Sequence, residues 1–219
     1  MFSTEKMTFI KFFRDDTMSR NSFIFVVFLL FALPSYSIVI PDTILVKCNT
    51  GAGIQVLSEN EKGVILYINM ARCYPKYFYD SILCPYIDSA KTNKKTKFYK
   101  TLKTDLYKTK SLKPLTFNAA IYPITKAFAK DMGRHGKTGH VNSKRETLAD
   151  RHSGVAVCGE NCSYGFDKPL DIVFQLILDE GIASFGHRKN ILDPDYRTVA
   201  VSIHKHKKLD WNCVIDFAR

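Results

Sequence analysis

Apolar and polar positions alternate with two different periods along the chain, and each period predicts its own type of element. Apolar residues at helical spacing predict three helices, over residues 61–72, 122–134 and 169–180. Pro123 would stand in the first turn of the second helix, and Gly181 directly follows the third; both are common at helix ends. The middle of the chain is therefore expected to be largely helical.

Strand-like alternation is concentrated near the C-terminus. Residues 198–204 and 212–218 have the pattern of two strands joined by a charged connection, which predicts an antiparallel hairpin. Residues 38–60 begin with β-branched residues and Pro41, and they are predicted to form an extended entry segment. A chain of 219 residues with 46% hydrophobic residues can bury one sizeable core. We therefore predict one α+β domain over residues 61–219.

A polar, glycine-bearing region, residues 137–162, separates the second and third predicted helices. It has no clear period, and we expect a long ordered loop with short strands. Loops of this length inside a compact domain are usually functional. This region is therefore the first place to look for a site.

The N-terminal residues 1–37 have the pattern of a signal peptide. Arg20 precedes an unbroken apolar run over residues 23–33, and small residues follow, with cleavage expected after Ser37. The run is shorter than the roughly 20 residues that a membrane-spanning helix needs. Because the polar stretch before Met18 is unusual in a signal peptide, Met18 is a candidate start. We therefore expect a secreted, extracellular protein.

Six cysteines follow the expected cleavage site, and an even count in an oxidising compartment usually means disulfides. Sequence proximity suggests three pairs: Cys73 with Cys84, Cys158 with Cys162, and Cys48 with Cys213. The alternative is buried free thiols, because free cysteine packs like a small hydrophobic residue. A zinc cluster of cysteines is disfavoured, since no C-x-x-C spacing occurs.

The net charge of +11 is concentrated in residues 91–110, where eight lysines accompany a single acid, Asp105. We predict a solvated, flexible loop with affinity for an anionic membrane surface or a glycan. Nucleic acid is not an expected partner, because no recognition-helix or RNP pattern accompanies the lysines and secreted proteins rarely meet it.

Four short motifs carry residues capable of chemistry: Thr138-Gly139-His140, Gly159-Glu160-Asn161, Asp179-Glu180 and Gly186-His187-Arg188. None of them is specific alone, because an isolated histidine is more often a structural residue than a ligand. Their order, with Leu112-Lys-Pro-Leu115 and Ala127-Phe-Ala-Lys-Asp-Met132 before them, resembles the CAP superfamily, which comprises the cysteine-rich secretory, antigen 5 and pathogenesis-related proteins, or SCP domains. The Gly-His-Arg-Lys-Asn form is similar to the microbial branch.

The resemblance implies an α-β-α sandwich with a central cleft that holds a divalent cation in several members. When the cleft residues of the family are matched to the motifs of this sequence, they correspond to His140, Glu160, Glu180 and His187. The two histidines would then be the metal ligands. Neutral imidazoles bind Zn²⁺ well, and two of them leave positions open for water or ligand. We therefore expect Zn²⁺ or another divalent cation.

Two of these assignments have rivals. His152 is closer to the Gly-Glu-Asn motif than His140 is, and Asp179 could take the role of Glu180. A metal pair of His204 and His206 is disfavoured by the surrounding lysines. A glycosylation sequon begins at Asn161, and we expect it to be unused, because the asparagine supports the cleft in the family that the chain resembles.

Three functions remain open. The first is binding of a lipid, sterol or peptide in the extracellular space, in defence or host interaction, as the resemblance implies. The second is hydrolysis, either by a zinc-activated water or by Glu160 and Glu180 as a pair of carboxylates. The third is a closed structural cluster, with the surface doing the binding.

Overall fold

The computed structural model describes residues 39–219, and the predicted leader over residues 1–37 lies outside them. The helices, in chain order, are α1 (Asp42–Cys48), α2 (Glu59–Cys73), α3 (Pro75–Tyr77), α4 (Cys84–Ser89), α5 (Lys97–Lys108), α6 (Tyr122–His135), α7 (Leu148–Arg151), α8 (Pro169–Leu178) and α9 (Gly186–Ile191). A π-helical segment, Phe78–Leu83, joins α3 to α4. The strands are β1 (Thr116–Phe117), β2 (Val157–Tyr164), β3 (Thr198–His206) and β4 (Asp210–Ala218).

The three helices predicted from apolar spacing are present as α2, α6 and α8. A capping box starts α2, in which the Ser58 hydroxyl accepts from the Glu61 N–H and the Glu61 carboxylate accepts from the Ser58 N–H. Helix α6 ends at Gly136, whose φ of 61° suits glycine. Helix α8 ends earlier than predicted, because Asp179 already has left-handed φ (58°). None of the helices in residues 39–219 is long and apolar enough to cross a bilayer.

The four strands found in residues 39–219 form one sheet in the order β1-β3-β4-β2. Strands β3 and β4 are the predicted antiparallel hairpin, paired from Thr198 with Ala218 to His206 with Asp210. Strand β2 pairs antiparallel with β4 and forms one edge, while the short β1 pairs parallel with β3. The predicted loop over residues 137–162 thus contains α7 and leads into an edge strand.

Alternate residues of β4 face two different helical layers. Cys213, Ile215 and Phe217 join a large core to which α2 and α8 contribute. Val214 lies on the opposite face and packs in a smaller cluster with Phe128 of α6. The sheet is therefore covered on both faces, and the fold is the α-β-α sandwich that the resemblance to the CAP superfamily implied.

The prediction of an extended segment over residues 38–60 was wrong, because Asp42–Cys48 is helical. Ile44 and Cys48, one helical turn apart, are buried in the large core, so tertiary packing outweighs the local β-propensity.

The prediction of a flexible lysine-rich loop over residues 91–110 was also wrong, because Lys97–Lys108 forms α5. The Thr96 hydroxyl caps the helix by accepting from the Tyr99 N–H, and Leu102 and Leu106 bury one face. Only two of the twelve residues of this helix are buried. The helical period is therefore hard to recognise in the sequence, because lysines outnumber the buried apolar positions.

The predicted disulfides are not formed, and all six cysteines are free thiols. Cys158 and Cys162 lie four residues apart in β2, which corresponds to about 13 Å and exceeds the span of a disulfide. Cys48 lies beside Cys73 instead of Cys213: a hydrogen bond between the two thiols raises the pKa of Cys48 and lowers that of Cys73. Four of the six cysteines are buried free thiols, as the alternative interpretation expected. Cys84 is partly exposed and Cys158 is exposed.

Candidate functional site

The edge strand β2 positions the Gly-Glu-Asn motif. Glu160 and Cys162 are two residues apart and therefore point to the same face, the one that α6 covers. Asn161 points to the other face, where its side-chain amide donates to the carbonyl of His187. Gly159 is required by close packing, because a Cβ there would lie 2.5 Å from the hydroxyl oxygen of Tyr196.

His140 and Glu160 form a hydrogen-bonded pair, with 2.8 Å between Nδ1 and Oε1. The Glu160 side chain is 2% exposed, whereas the His140 side chain is 53% exposed and opens the pair to solvent. The hydrogen bond to Glu160 raises the pKa of His140, while burial raises the pKa of Glu160. The pair is thus buried on its carboxylate side and accessible on its imidazole side.

Arg151, at the end of α7, holds this pair in place. Its guanidinium donates to Oε2 of Glu160 and also to the carbonyl oxygens of His140 and Glu146. The guanidinium carbon lies 3.5 Å from the centroid of the Phe128 ring, which anchors the side chain against α6. Both carboxylate oxygens of Glu160 are therefore engaged.

His187 is oriented by Asp179, and not by Glu180. The ring nitrogen Nδ1 lies 2.7 Å from Oδ1 of Asp179, and Oδ2 accepts from the backbone N–H groups of His187 and Arg188 at the start of α9. Asp179 is buried in the left-handed turn that ends α8, while Glu180, one residue later, is exposed. The acid in contact with His187 is therefore Asp179, the rival of Glu180. Glu180 contributes only to the lining of the cavity described next.

A cavity of about 180 Å³ lies beside β2. Its lining includes His187, both acids and the strand residue Cys162; the full set is Cys162, Tyr164, Gln175, Leu176, Asp179, Glu180, Ile182 and His187. The Cys162 sulfur is also 3.8 Å from Nδ1 of His140. Cys162 therefore contacts the His140–Glu160 pair and lines the same cavity as His187.

The donor atoms of His140, Glu160 and Cys162 all lie within 4.8 Å of one another. Burial raises the pKa of the Cys162 thiol well above its usual range. Sequence analysis missed Cys162 because it was assigned to a disulfide. Its position two residues after Glu160 is the signal that could have found it, once that segment is known to be a strand.

The rival histidines have structural roles. His152 is buried, with Nε2 3.0 Å from Oδ2 of Asp216, and Thr125 donates to the same carboxylate oxygen. His206 has Nε2 2.9 Å from the carbonyl oxygen of Lys137, and its Nδ1 accepts from two backbone N–H groups. Neither histidine has a ring nitrogen facing an open site, although Nδ1 of His152 has no hydrogen-bond partner.

Asn161 is fully buried and bonded on both sides of its amide, since Asn190 donates to its oxygen and it donates to His187. An oligosaccharide could not be attached to this side chain in the folded protein, in line with the expectation that the sequon is unused.

Comparison with known families shows to which family the chain belongs. The model of the cysteine-rich secretory protein family, CAP, matches residues 67–217. The chain belongs to the CAP family. In this CAP domain Glu160 lies in the edge strand β2 and His187 at the start of α9, while His140 lies in the loop after α6 and Glu180 in the turn after α8. A search of curated proteins found no match to the chain.

Two solved structures are similar to this CAP domain. One is an extracellular protein with an SCP domain from Bacillus anthracis str. Ames, 22% identical with a TM-score of 0.42 over 49% of this chain and 34% of that one. The other is an outer surface protein of Borrelia burgdorferi, 17% identical with a TM-score of 0.42 over 58% of this chain and 95% of that one. The match thus spans about a third of the length of the Bacillus protein.

Proposed function

We propose that this CAP domain acts in the extracellular space and binds a divalent cation, Zn²⁺ above others, at the edge of β2. The observation that carries the proposal is the His140–Glu160 pair, in which a nitrogen of the half-exposed imidazole lies 2.8 Å from an oxygen of the buried carboxylate. The signal-peptide pattern of residues 1–37 and the secretory character of the family support the location.

The residues present fit a zinc ion. Imidazole nitrogen and carboxylate oxygen are both ligands that zinc accepts, and a half-exposed histidine provides an entry path. Arg151 and Asp179 are positioning residues. Arg151 holds Glu160 by a hydrogen bond to its carboxylate, and Asp179 holds His187 by a hydrogen bond to its ring. When bound, zinc supplies Lewis acidity and an attachment point for a ligand's donor atom.

The engaged carboxylate of Glu160 favours binding over turnover. Its two oxygens contact His140 and Arg151, so a zinc ion can replace the His140 contact by a bond to Oε1, whereas a nucleophile or general base would give up an ion pair with no bond to replace it. Glu180 is exposed and lacks such support. The hydrolase hypothesis, with Glu160 and Glu180 as a catalytic pair, therefore has less support than a binding function.

The cavity beside Cys162 sets an upper limit on what the cleft itself can enclose. Its volume of about 180 Å³ is below the roughly 300 Å³ at which drug-sized ligand pockets begin. A sterol, fatty acid or peptide would need the wider groove of about 580 Å³ between α6 and the loop before α7, which Arg151 also lines. We propose that any such ligand binds in that groove.

Replacing His140 by alanine should weaken zinc binding strongly. We expect the secreted protein to retain one zinc ion in native mass spectrometry, and the variant to bind it at least about tenfold more weakly, since loss of even a supporting partner costs 10- to 100-fold. His135→Ala is the matched control, because His135 is also exposed and is bonded to Asp131 at the end of α6. Equal zinc retention in all three proteins would contradict the proposal.

Helix α5 offers a second binding surface, and we propose that its partner is an anionic membrane. Lys97, Lys100, Lys103 and Lys108 are exposed, whereas Leu102 and Leu106 of the same helix are buried. The only acid of the helix, Asp105, is bonded to the buried guanidinium of Arg188. The outer face therefore carries four cations whose charge is not neutralised within the helix. Because lysines act as flexible point charges, such a face suits lipid headgroups.

Removal of these four lysine charges should release the protein from anionic vesicles. Each lysine near such a surface contributes about 1 kcal/mol, so the quadruple Lys→Gln variant should bind vesicles containing phosphatidylglycerol about 100- to 1000-fold more weakly in cosedimentation. A quadruple Lys→Gln control at Lys130, Lys144, Lys168 and Lys207 removes the same charge from exposed positions elsewhere. Equal losses in both variants, or retention on heparin with no vesicle binding, would exclude a membrane-binding face.

A further inference from the structure

Resting on the metal site proposed above, we propose that Cys162 supplies a third, thiolate ligand beside His140 and Glu160, which makes this a site for zinc-like ions and not for Mg²⁺ or Ca²⁺. The motif resemblance implies histidines and acids only. The cysteine is a feature of this chain, and it follows from where β2 places the side chain.

The three donor atoms converge from two segments. Glu160 and Cys162 project from the same face of β2, and His140 approaches from the loop after α6. The sulfur lies 3.8 Å from Nδ1 of His140, and all three donors lie within 4.8 Å of one another.

The spacing is close to what a tetrahedral zinc needs. With Zn–S near 2.3 Å and Zn–N near 2.0 Å, sulfur and nitrogen ligands of one zinc are about 3.5 Å apart, so the observed 3.8 Å needs only a small adjustment. The 2.8 Å contact between His140 and Glu160 must open to about 3.4 Å. A half-exposed imidazole in a loop can move by that much.

Donor chemistry selects the class of ion. A thiolate and an imidazole favour zinc and similar transition metals, while Mg²⁺ and Ca²⁺ are bound by oxygen donors. When the ion binds, the S–H bond of Cys162 breaks, a metal–sulfur bond forms, and the proton passes to solvent. No electron is transferred in this step. Three protein ligands leave one position of a tetrahedral ion free for a ligand.

The position of Cys162 also separates this role from ordinary packing. The side chain belongs to the small cluster with Phe128, Met132 and Val214, which a thiol can fill as a hydrophobic group. However, its sulfur approaches an imidazole nitrogen and lines a cavity shared with His187. A purely packing cysteine would leave metal binding unchanged when it is replaced.

Cobalt provides a spectroscopic test of the thiolate. Titration of the mature protein with Co²⁺ should produce the near-ultraviolet charge-transfer absorption of a thiolate–cobalt bond, together with visible bands, and Zn²⁺ should displace both. In Cys162→Ser the charge-transfer absorption should vanish and Co²⁺ affinity should fall by at least about tenfold. Mg²⁺ and Ca²⁺ should not compete.

Cys158→Ser is the matched control, because Cys158 lies on the same strand but is exposed. It should keep the full absorption. If Cys162→Ser fails to fold, protection provides the second measurement: Zn²⁺ should slow alkylation of Cys162 in the unmodified protein, mapped by mass spectrometry, without slowing that of Cys158.

The outcomes distinguish this inference from the function on which it rests. Visible cobalt bands without charge-transfer absorption, unchanged in Cys162→Ser, would overturn the thiolate ligand and leave a metal site at His140 and Glu160. Absence of Co²⁺ and Zn²⁺ binding by the unmodified protein would overturn the metal site itself. Charge-transfer absorption that persists in Cys162→Ser would show that another thiol binds the ion, and the inference would be wrong.

Discussion

Arg188→Met should destabilise the protein by at least about 4 kcal/mol, which corresponds to a fall in Tm of about 8–16 °C for a domain of this size. Arg188 is 2% exposed and follows His187 in α9. Its guanidinium donates to Thr101, Asp105 and the carbonyl oxygen of Phe98 in α5, and to the carbonyl oxygens at the end of α8, those of Ile177 and Leu178. One side chain thus joins three helices.

The size of this effect follows from the acceptors left behind. A methionine of similar length fills the volume, but it leaves buried carbonyl groups without donors, at about 1–3 kcal/mol each. Asp105 is partly exposed, so its freed charge can be hydrated and adds less. Thermal unfolding monitored by circular dichroism measures the change.

Two further variants make this prediction specific. Arg188→Lys should recover only a small part of the loss, because a single ammonium group cannot satisfy five acceptors in a planar arrangement. Arg134→Met, at the exposed end of α6, should change stability by less than about 0.5 kcal/mol. A stable Arg188→Met protein would mean that α5, α8 and α9 are held together by other contacts.

Gly133→Ala should destabilise the protein by about 3 kcal/mol or more, against the trend of helix propensity. In a helix such as α6, alanine is favoured over glycine by about 1 kcal/mol. However, a Cβ at Gly133 would lie 2.1 Å from the carbonyl oxygen of Lys205 and 3.0 Å from the Asn212 side-chain oxygen. Because the backbones of α6 and β3 must move apart to make room, the free-energy cost of overpacking exceeds the gain in helix propensity.

The effect of Gly133→Ala should extend to the contact of α6 with the sheet. The Gly133 carbonyl oxygen accepts from the Lys207 N–H, and the Asn212 amide donates to the Ala129 carbonyl oxygen, so separation of helix and hairpin breaks both bonds. Urea unfolding measures the loss. Gly53→Ala, where nothing lies within 4 Å of the added methyl, should be neutral or stabilise slightly; a similar loss at both positions would refute the packing explanation.

These two positions illustrate where sequence patterns are insufficient. Gly133 resembles the glycines that end helices. However, glycine is required at this position because a Cβ would collide with β3, about seventy residues later in the chain. Arg188 was part of the Gly-His-Arg motif, yet nothing in the motif indicates that its partners lie in α5. Both depend on contacts between segments that only the folded chain brings together.

The candidate site was predictable to the level of its motifs. His140 and Glu160 were named from sequence order, and they are hydrogen-bonded in the structure. The choice between Asp179 and Glu180 was not predictable, because both are acids and only the fold decides which of two adjacent side chains points toward His187. The left-handed conformation of Asp179 at the end of α8 decides it.

The sequence by itself determined the family, the helices α2, α6 and α8, the terminal hairpin and two of the cleft residues, because periodicity and contiguous motifs are local properties. The tertiary structure decided the helicity of α1 and α5, the absence of the expected disulfides, and the neighbours of Cys162. Each of these depends on burial against distant segments or on the face of a strand. A thiol two residues from Glu160 becomes a candidate ligand only because β2 is extended and His140 lies against it.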